Sequence, residues 1–434
     1  MPPGPSPSNL PGQPPSNPPG PPASNLPGGP AAGAEPTGRS NVTTLGWAAF
    51  WSGMAQEMIY PLLPVFLVVA LASSKTALGA VEGLLGVGIT ISRLWTGRAV
   101  DRGSSPLRLT RISYAISLIA RPLIALAPTV GVVAVLRVAD GLGKGGKDAP
   151  KSVLIAADAD QRRIGRSFGI QTLLDTLGSV AGPLLAGVIL LVAGHGASGL
   201  RICFALAAIP ALGAAYQLMR AHDTPHPKRD RKVRRDPLGR PYYVLLGAVL
   251  LFGLANSSDT LLLLRAHSAG VSVSGLAFLF AAFNLVYALL AIPAGALSDR
   301  FGRRPLILIA WGTYVLVYLG FAFADGAPAL IALFLAYGIF YAASDGVIKA
   351  WITTLVPVDR RGQAFGLNAA ASGLLLLPAS VIAGALWDTA GPRSAFLFGA
   401  VAAAAALAVI ALAPSLRRNP PASPAQTPSA PPVV

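Results

Sequence analysis

Ionisable side chains lie inside several long apolar runs of this sequence, where they could carry charge or protons through a membrane. Glu57 and Asp175 are carboxylates in such runs, Arg121 and Arg137 are cations, and Asp140 follows Arg137 by three residues. A charge at membrane depth costs about 2.5–3.5 kcal/mol on insertion scales, so each of these residues is a functional candidate. Because a carboxylate can gain and lose a proton as its surroundings change, we predict a role in proton coupling for Glu57 and Asp175.

The sequence alone does not determine which side chains pair with these charges. Glu57 could instead form a buried ion pair with Arg137 that serves only the structure. Asp175 could likewise belong to a structural ion pair. Asp140 lies four residues before Lys144, so those two side chains could pair on one helix. Proton coupling and structural pairing therefore both stand as interpretations of the acids.

The runs that hold these charges are typical of membrane helices. Of the 434 residues, 53% are apolar and 12% are charged, whereas soluble domains carry roughly 25% charged residues. Runs such as 182–193, 242–255 and 395–414 approach the roughly 20 residues that cross a bilayer core as a helix. The alternating pattern of a membrane barrel is absent, which predicts an all-α integral membrane bundle in a lipid bilayer.

Twelve helices are predicted, six on each side of a polar stretch. The first six cover 44–71, 76–97, 108–127, 129–149, 165–193 and 199–220. The next six cover 241–264, 273–297, 304–323, 327–351, 362–387 and 393–414. The chain thus divides into an N-terminal half at 41–220, a basic linker at 221–240 and a C-terminal half at 241–414. Tails rich in Pro at 1–40 and 415–434 are predicted to be disordered.

The cations predict the orientation of the bundle. Most of the 34 Lys and Arg residues fall in the linker and in the loops on one side of the predicted helices. Such loops stay in the cytoplasm, so we expect a multi-pass protein of the cytoplasmic (inner) membrane with both termini in the cytoplasm. The net charge of +16 is explained by this placement, and we expect no nucleic-acid partner.

Two loops carry nearly the same sequence motif. The motif G-x-x-x-D-R follows the second predicted helix and recurs after the eighth. Its residues are Gly97, Asp101 and Arg102 in the first copy, and Gly295, Asp299 and Arg300 in the second, 198 positions later. A shared offset indicates two structural repeats about an axis along the membrane normal.

This repeated loop resembles the signature motif of the major facilitator superfamily. Arg137, with Gly141 and Gly143 in the fourth predicted helix, resembles a second motif of that family. The segments at 57–67 and 140–150 are similar to a prokaryotic branch whose substrates are largely unassigned. The resemblance covers about residues 44–414 and implies a twelve-helix bundle with two six-helix halves around a central cavity.

The fifth predicted helix carries a further resemblance. Gly178, Gly182, Pro183 and Gly187 match the family's G-x-x-x-G-P-x-x-G-G motif, which is associated with antiporters, with Ala186 in place of one glycine. The glycines predict a smooth helix face for close packing, and Pro183 predicts a bend and a free backbone carbonyl. Close packing without any bearing on exchange is the alternative interpretation.

The family resemblance also implies where the cavity lies. Helices one, four, seven and ten line it in this family, which makes Glu57, Arg137 and Asp259 the expected cavity residues. Polar side chains in these and neighbouring helices are further candidates for substrate contact or for interhelical hydrogen bonds. They are Tyr60, Asn256, Asn284, Tyr287, Tyr337 and Tyr341.

The signature loops are expected to act as latches between the halves. The glycines would let helices approach, and Asp101 or Asp299 would face the positive N-terminus of a helix in the opposite half. Arg102 and Arg300 would pair with acids nearby, and the latch would stabilise an outward-facing state. The second copy continues with Arg303-Arg304-Pro305 where the first has Ser104-Ser105-Pro106, so a weaker first latch is expected.

Four functions compete at this stage. A proton-coupled exporter of a small molecule, working by antiport as a monomer, fits the motif of the fifth helix and the intramembrane acids. A proton-coupled importer on the same scaffold, a transporter-like sensor and a membrane enzyme are the alternatives. None of the four His residues lies in a predicted helix, so we expect neither catalysis nor a metal site, and no cofactor.

Overall fold

The computed structural model describes residues 41–159, 164–223, 237–357 and 360–416, with the side chains at 164 and 165 left out. The predicted tail at 1–40 lies outside the described residues, as do nearly all of the tail at 415–434 and most of the linker at 221–240. Throughout the described ranges the secondary structure is helical, without a strand. The predicted all-α class is confirmed.

Twelve membrane helices follow the predicted order. In the first half they are α1 (Asn41–Ala70), α2 (Lys75–Asp101), α3 (Pro106–Leu126), α4 (Val130–Gly146), α5 (Ile164–Ala193) and α6 (Ala197–Arg220). In the second half they are α7 (Arg240–Ser268), α8 (Val273–Phe301), α9 (Arg303–Phe323), α10 (Ala327–Leu355), α11 (Arg361–Ala390) and α12 (Pro392–Leu412). A short helix, Asp148–Asp158, continues α4 beyond Lys147.

Eleven of the helices are long and apolar enough to cross a membrane, and α4 is the exception. It has 17 residues and carries Arg137, Asp140 and Lys144. Its neighbours α2 and α3 cover it on two sides. Because its charges are enclosed by protein, α4 does not need the hydropathy of a lipid-facing helix.

The two repeats share their local signals. Ser74 caps α2 by accepting a hydrogen bond from the Ala77 amide at 3.0 Å, and Ser272 caps α8 by accepting from the Gly275 amide at 3.0 Å. The two caps are separated by the offset of the loop motifs. A serine oxygen in this position satisfies one of the free amides of the first turn, so the same chemistry starts the equivalent helix of each half.

Contacts between the halves pair α2 with α11 and α5 with α8, which are equivalent pairs in the repeat. We call the end of the bundle with the signature motifs the loop side, and the end with residues 71–74 and 194–196 the far side. Glycines allow close approach: a Cβ at Gly83 would lie 2.6 Å from the Leu377 side chain, and one at Gly187 would lie 2.6 Å from Phe278. Both contacts fall toward the far side, so the halves are packed together there.

Candidate functional site

The first helix of each half is interrupted inside the bundle. The regular part of α1 ends at Glu57 and resumes as short turns that contain Pro61 and Pro64, which lack the amide hydrogen that a helix needs. The regular part of α7 ends at Ala255 and restarts at Thr260. Paired breaks at equivalent positions are a hallmark of transporter binding sites, because they expose polar backbone and side chains at mid-membrane.

The α7 break has its own polar support. The Ser258 amide donates to the Ser380 hydroxyl at 3.0 Å, and the Ser258 and Thr260 hydroxyls lie 2.8 Å apart. The hydroxyl of Tyr314 donates to the Ala255 carbonyl at 2.7 Å. These bonds replace part of the helical hydrogen bonding and hold the break in one conformation.

The arginines of the first half meet a shared carboxylate. Arg121 Nε donates to Asp140 Oδ1 at 2.8 Å, and Arg137 Nη1 donates to Asp140 Oδ2 at 3.3 Å. Arg137 Nη2 also donates to Glu82 Oε1 at 2.8 Å. All four side chains are at most 3% exposed. We call Glu82, Arg121, Arg137 and Asp140 the buried quartet, whose two positive and two negative charges balance.

The quartet changes three expectations. Asp140 pairs with Arg121 and Arg137 rather than with Lys144 on its own helix, because α3 brings the Arg121 guanidinium directly against it. Arg137 was expected to line the cavity or to pair with Glu57, but its guanidinium is enclosed by α2 and α4. Both terminal nitrogens of Arg137 are paired with acids, whereas its Nε has no hydrogen-bond partner among the described residues. Removal of one acid would leave an uncompensated buried charge.

Glu57 stands next to the quartet without joining it. Its Oε1 accepts a hydrogen bond from the Gln56 side-chain amide at 2.7 Å. The Gln56 side-chain oxygen, Oε1, in turn accepts from Arg121 Nη2 at 3.1 Å. Glu57 Oε2 is buried and has no hydrogen-bond partner among the described residues. A buried carboxylate oxygen without a donor is a poor place for a permanent negative charge.

Asp175 lies on the face of α5 that packs against α1. A Cβ at Gly53 would be 3.3 Å from Asp175 Oδ1, so the absence of a side chain at Gly53 makes room for this carboxylate. Within the described ranges, no side chain donates a hydrogen bond to it. Nearby, Lys147 Nζ donates to the Ser52 hydroxyl at 3.2 Å and lies 4.5 Å from the centre of the Tyr114 ring. Asp175 is thus an acid to which no described side chain is fixed by a hydrogen bond.

The second half holds a single carboxylate at its helix break. Asp259 Oδ1 accepts from the Tyr337 hydroxyl at 2.8 Å, and Asp259 Oδ2 accepts from the Tyr341 hydroxyl at 2.9 Å. Tyr337 also lies 3.4 Å from Asn256 Oδ1. Four of the predicted cavity residues of this half, Asn256, Asp259, Tyr337 and Tyr341, are therefore gathered in one cluster. Tyr60 of α1 has its ring centre 5.3 Å from that of Phe280 in α8.

The predicted carbonyl freed by proline is found in α5. Pro183 lies inside the helix and has no amide hydrogen for the carbonyl of Ser179, four residues earlier. The side-chain amide of Asn284 in α8 donates to that Ser179 oxygen at 3.0 Å. Asn284, expected as a cavity residue, instead links the two halves.

Two of the three glycines of the α5 motif pack against α1, as a shared smooth face predicts, and the third does not. A Cβ at Gly182 would lie 2.5 Å from the Met54 carbonyl oxygen of α1, and one at Gly178 would collide with the Phe50 carbonyl. Gly187 faces α8 instead. The motif therefore lets α5 lie close to α1 on one side and to the opposite half on the other.

The signature loops are not engaged in this conformation. Nothing lies within 4 Å of a Cβ built at Gly97 or Gly295, so the close approach expected of these glycines is not formed. Asp101, Arg102, Asp299 and Arg300 are exposed. Arg303, at the start of α9, lies 3.8 Å from Asp299 near the end of α8. The physical reason is that the halves pack against each other toward the far side and not at these loops.

Arg304 has a role that the motif did not suggest. Its Nε donates to the Ile410 carbonyl at 3.1 Å and its Nη2 to the Ala411 carbonyl at 2.6 Å, at the end of α12. In the first half Arg111 does the same to the Leu218 carbonyl at 3.0 Å, at the end of α6. In the first repeat, Arg111 of α3 therefore makes the contact that Arg304 of the loop motif makes in the second repeat.

Several residues of the site were missed by sequence reasoning. Glu82 carried a usable signal, since it is an acid inside a predicted helix. Gln56 and Ser52 are uncharged and gave none. Asp388 lies just beyond a predicted helix end, and it accepts hydrogen bonds from the Lys75 and Thr76 amides of α2, which depend on tertiary packing.

The fold and its paired helix breaks define a membrane transporter built from two repeats, and comparison with known proteins identifies the family. The sequence model of the Major Facilitator Superfamily matches residues 45–265 and 244–433. The chain belongs to this superfamily and is a multi-pass secondary transporter of its type.

Individual relatives agree with this assignment. An uncharacterised MFS-type transporter of Methanocaldococcus jannaschii is 30% identical over 374 residues, which cover 84% of this chain and 92% of the relative. The multidrug resistance protein MdtG of Salmonella paratyphi C is 26% identical over 353 residues, covering 76% and 83%.

Solved structures share the fold at low sequence identity. The nucleoside transporter NupG aligns with a TM-score of 0.67 and 14% identity, over 86% of this chain and 98% of that one. A D-xylose-proton symporter aligns with a TM-score of 0.67 and 20% identity, over 87% and 97%.

Proposed function

We propose that this chain exports a small molecule in exchange for protons, by alternating access and as a monomer. The observation that carries the proposal is the Glu57 carboxyl group at the α1 break. Its Oε2 is buried without a hydrogen-bond donor, while Oε1 is joined through Gln56 to Arg121. A proton taken up at Glu57 would remove the negative charge from a carboxylate whose Oε2 has no hydrogen-bond donor among the described residues.

The conformation supports an alternating-access cycle. We place both termini and the loop side in the cytoplasm, on the basis of the Lys and Arg distribution. The structure, packed at the far side, is then an inward-facing state. On this proposal Asp101 and Asp299 engage only after the halves rock and the loop side closes.

Export is supported by similarity to the multidrug resistance protein MdtG. Import of a solute together with protons is the second candidate, because the sequence motifs do not determine the direction of transport. Asp175 is proposed as an auxiliary acid because it faces α1 and no described side chain donates a hydrogen bond to it. Arg121, Arg137 and Asp140 are proposed as the rigid frame against which Glu57 exchanges its proton.

The test uses purified protein in liposomes, with ethidium as the probe and a fluorescent pH dye inside. With an acidic interior, an antiporter accumulates ethidium as protons leave, and nigericin abolishes the accumulation. Ethidium moving in the same direction as protons would establish the importer instead. The absence of any coupled flux, for ethidium and for a panel of metabolites, would contradict the proposal.

Variants locate the coupling. Glu57→Gln should lower gradient-driven flux about tenfold or more, because an amide cannot exchange a proton at neutral pH. Exchange of labelled for unlabelled ethidium without a gradient should continue in this variant. Asp345→Asn is the matched control, since Asp345 is an exposed acid paired with Lys349 at 2.7 Å. Full gradient-driven flux in Glu57→Gln would contradict the assignment of Glu57 as the proton-coupling residue.

A further inference from the structure

Asp259 is a carboxylate that no cation among the described residues pairs with. Both of its oxygens accept hydrogen bonds from tyrosine hydroxyls, which bring no charge. Within the described part of the chain, no lysine, arginine or histidine forms an ion pair or hydrogen bond with it. The contrast with Asp140, which is held by two arginines, is sharp. An unpaired carboxylate at membrane depth is costly and points to a partner that arrives from outside.

Further aromatic rings pack around the two tyrosines that hold this carboxylate. The Tyr341 ring lies edge-on to Phe283, with centres 5.5 Å apart, and 6.3 Å from Tyr287. Tyr337 stacks near Phe283 at 5.9 Å. Rings from α8 and α10 thus line the same region as the α7 break. Their negative faces attract cations, and their area accommodates an apolar body.

The cluster fits an organic cation better than the alternatives. An anion would be repelled by Asp259. A metal ion is disfavoured because the described residues hold no group of three or more acidic, histidine or cysteine ligands. The hydroxyl hydrogens of Tyr337 and Tyr341 also already point at the oxygens that a metal would need.

We propose that Asp259, with Tyr337, Tyr341 and the rings around them, binds the positive group of an organic cation with an aromatic or apolar body. This assignment names the substrate class of the exporter and rests on the proposed function only for the direction of transport. Binding itself can be measured without a gradient.

The experiment measures binding of radiolabelled tetraphenylphosphonium to the full chain in lipid nanodiscs. Triphenylphosphine oxide, an uncharged molecule with the same phenyl groups, is the matched competitor. Wild type should bind the phosphonium, and triphenylphosphine oxide should compete far less than unlabelled phosphonium. Asp259→Asn should weaken binding about tenfold or more, as expected for loss of a charge pair away from bulk water. Asp345→Asn, which removes an exposed acid of the same half, should bind like wild type.

Two further variants separate charge from folding. Asp259→Cys should bind weakly, and a negatively charged methanethiosulfonate should restore binding while a positively charged one should not. The chain's one cysteine, Cys203, is buried and does not compete for the reagent. Phe283→Leu keeps apolar volume and should weaken binding about fivefold through loss of ring contacts. This variant tests the site even where a substitution at 259 does not fold.

Several results would overturn the assignment: no phosphonium binding by wild type, equal competition by triphenylphosphine oxide and unlabelled phosphonium, or wild-type affinity in folded Asp259→Asn or in Phe283→Leu. These outcomes are distinguishable from failure of the proposed antiport. Binding that depends on Asp259, together with no proton-coupled flux, would leave this site intact and remove only the antiport.

Discussion

The carboxylate of Asp388, near the end of α11, caps the first turn of α2 in the opposite half through Thr76. Asp388 Oδ2 accepts from the Thr76 amide at 2.8 Å and from the Thr76 hydroxyl at 2.7 Å. Its Oδ1 accepts from the Lys75 amide at 3.1 Å. A negative charge at a helix N-terminus is favourable, so this contact acts as a far-side counterpart of the expected loop-side latches.

Removing that cap should open the far side. We expect Asp388→Ala to disfavour the far-side-packed conformation by about 1 kcal/mol, the usual value of a lost helix cap. Spin labels at Ala197 and Ser268 would report the far side, and labels at Arg98 and Leu297 would report the loop side. Distances should lengthen at the far side and shorten at the loop side.

The control for this prediction is Asp325→Ala, which removes an exposed far-side acid that contacts Arg265 of its own half at 3.4 Å. It should leave both distance distributions unchanged. Unaltered distributions in Asp388→Ala would show that the cap does not hold the halves together.

The bond from Asn284 to the Ser179 carbonyl should depend on Pro183. Asn284→Ala should destabilise the protein by about 1 kcal/mol, because a buried carbonyl loses its donor. In a Pro183→Ala background the restored amide can bond to Ser179, so the same change should cost much less. A double-mutant cycle on thermal unfolding in detergent measures this coupling. Strict additivity of the two changes would refute the link.

The buried quartet should govern stability. Glu82→Gln leaves Arg137 with an unbalanced buried charge and should destabilise the protein by about 3–5 kcal/mol. Glu57→Gln should change stability far less, since Glu57 lies outside the quartet. Thermal unfolding of the purified variants compares them directly. Similar unfolding midpoints for the two variants would contradict the proposal that the buried quartet is structural while Glu57 serves proton coupling.

The two signature loops should contribute unequally to turnover. Asp299→Asn should slow transport several-fold, in keeping with about 0.3–1 kcal/mol for a charge at a helix terminus. Asp101→Asn should have a smaller effect, because its loop lacks the arginines of the second copy. Initial rates in liposomes, normalised to the amount of inserted protein, decide the order. A larger effect at Asp101 would reverse the expected ranking of the latches.

Much of the architecture was accessible from the sequence because its signals are local. Hydropathy located the helices, and the 198-residue offset of Gly97 and Gly295 indicated the repeat. Pro183 predicted a free carbonyl in α5, and that carbonyl is found. Hydrogen-bond geometry along one helix depends on neighbours in the chain, so a sequence is enough to anticipate it.

The choice of partners was decided by the tertiary structure alone. The sequence by itself determined that Asp140, Arg121 and Arg137 are charges at membrane depth. Only packing decided that Asp140 meets Arg121 of α3 rather than Lys144, and that Glu57 remains outside the quartet. The physical reason is that charge pairing depends on how helices far apart in the sequence are rotated and spaced against each other. Hydropathy and helix-capping signals, in contrast, depend only on residues within each segment.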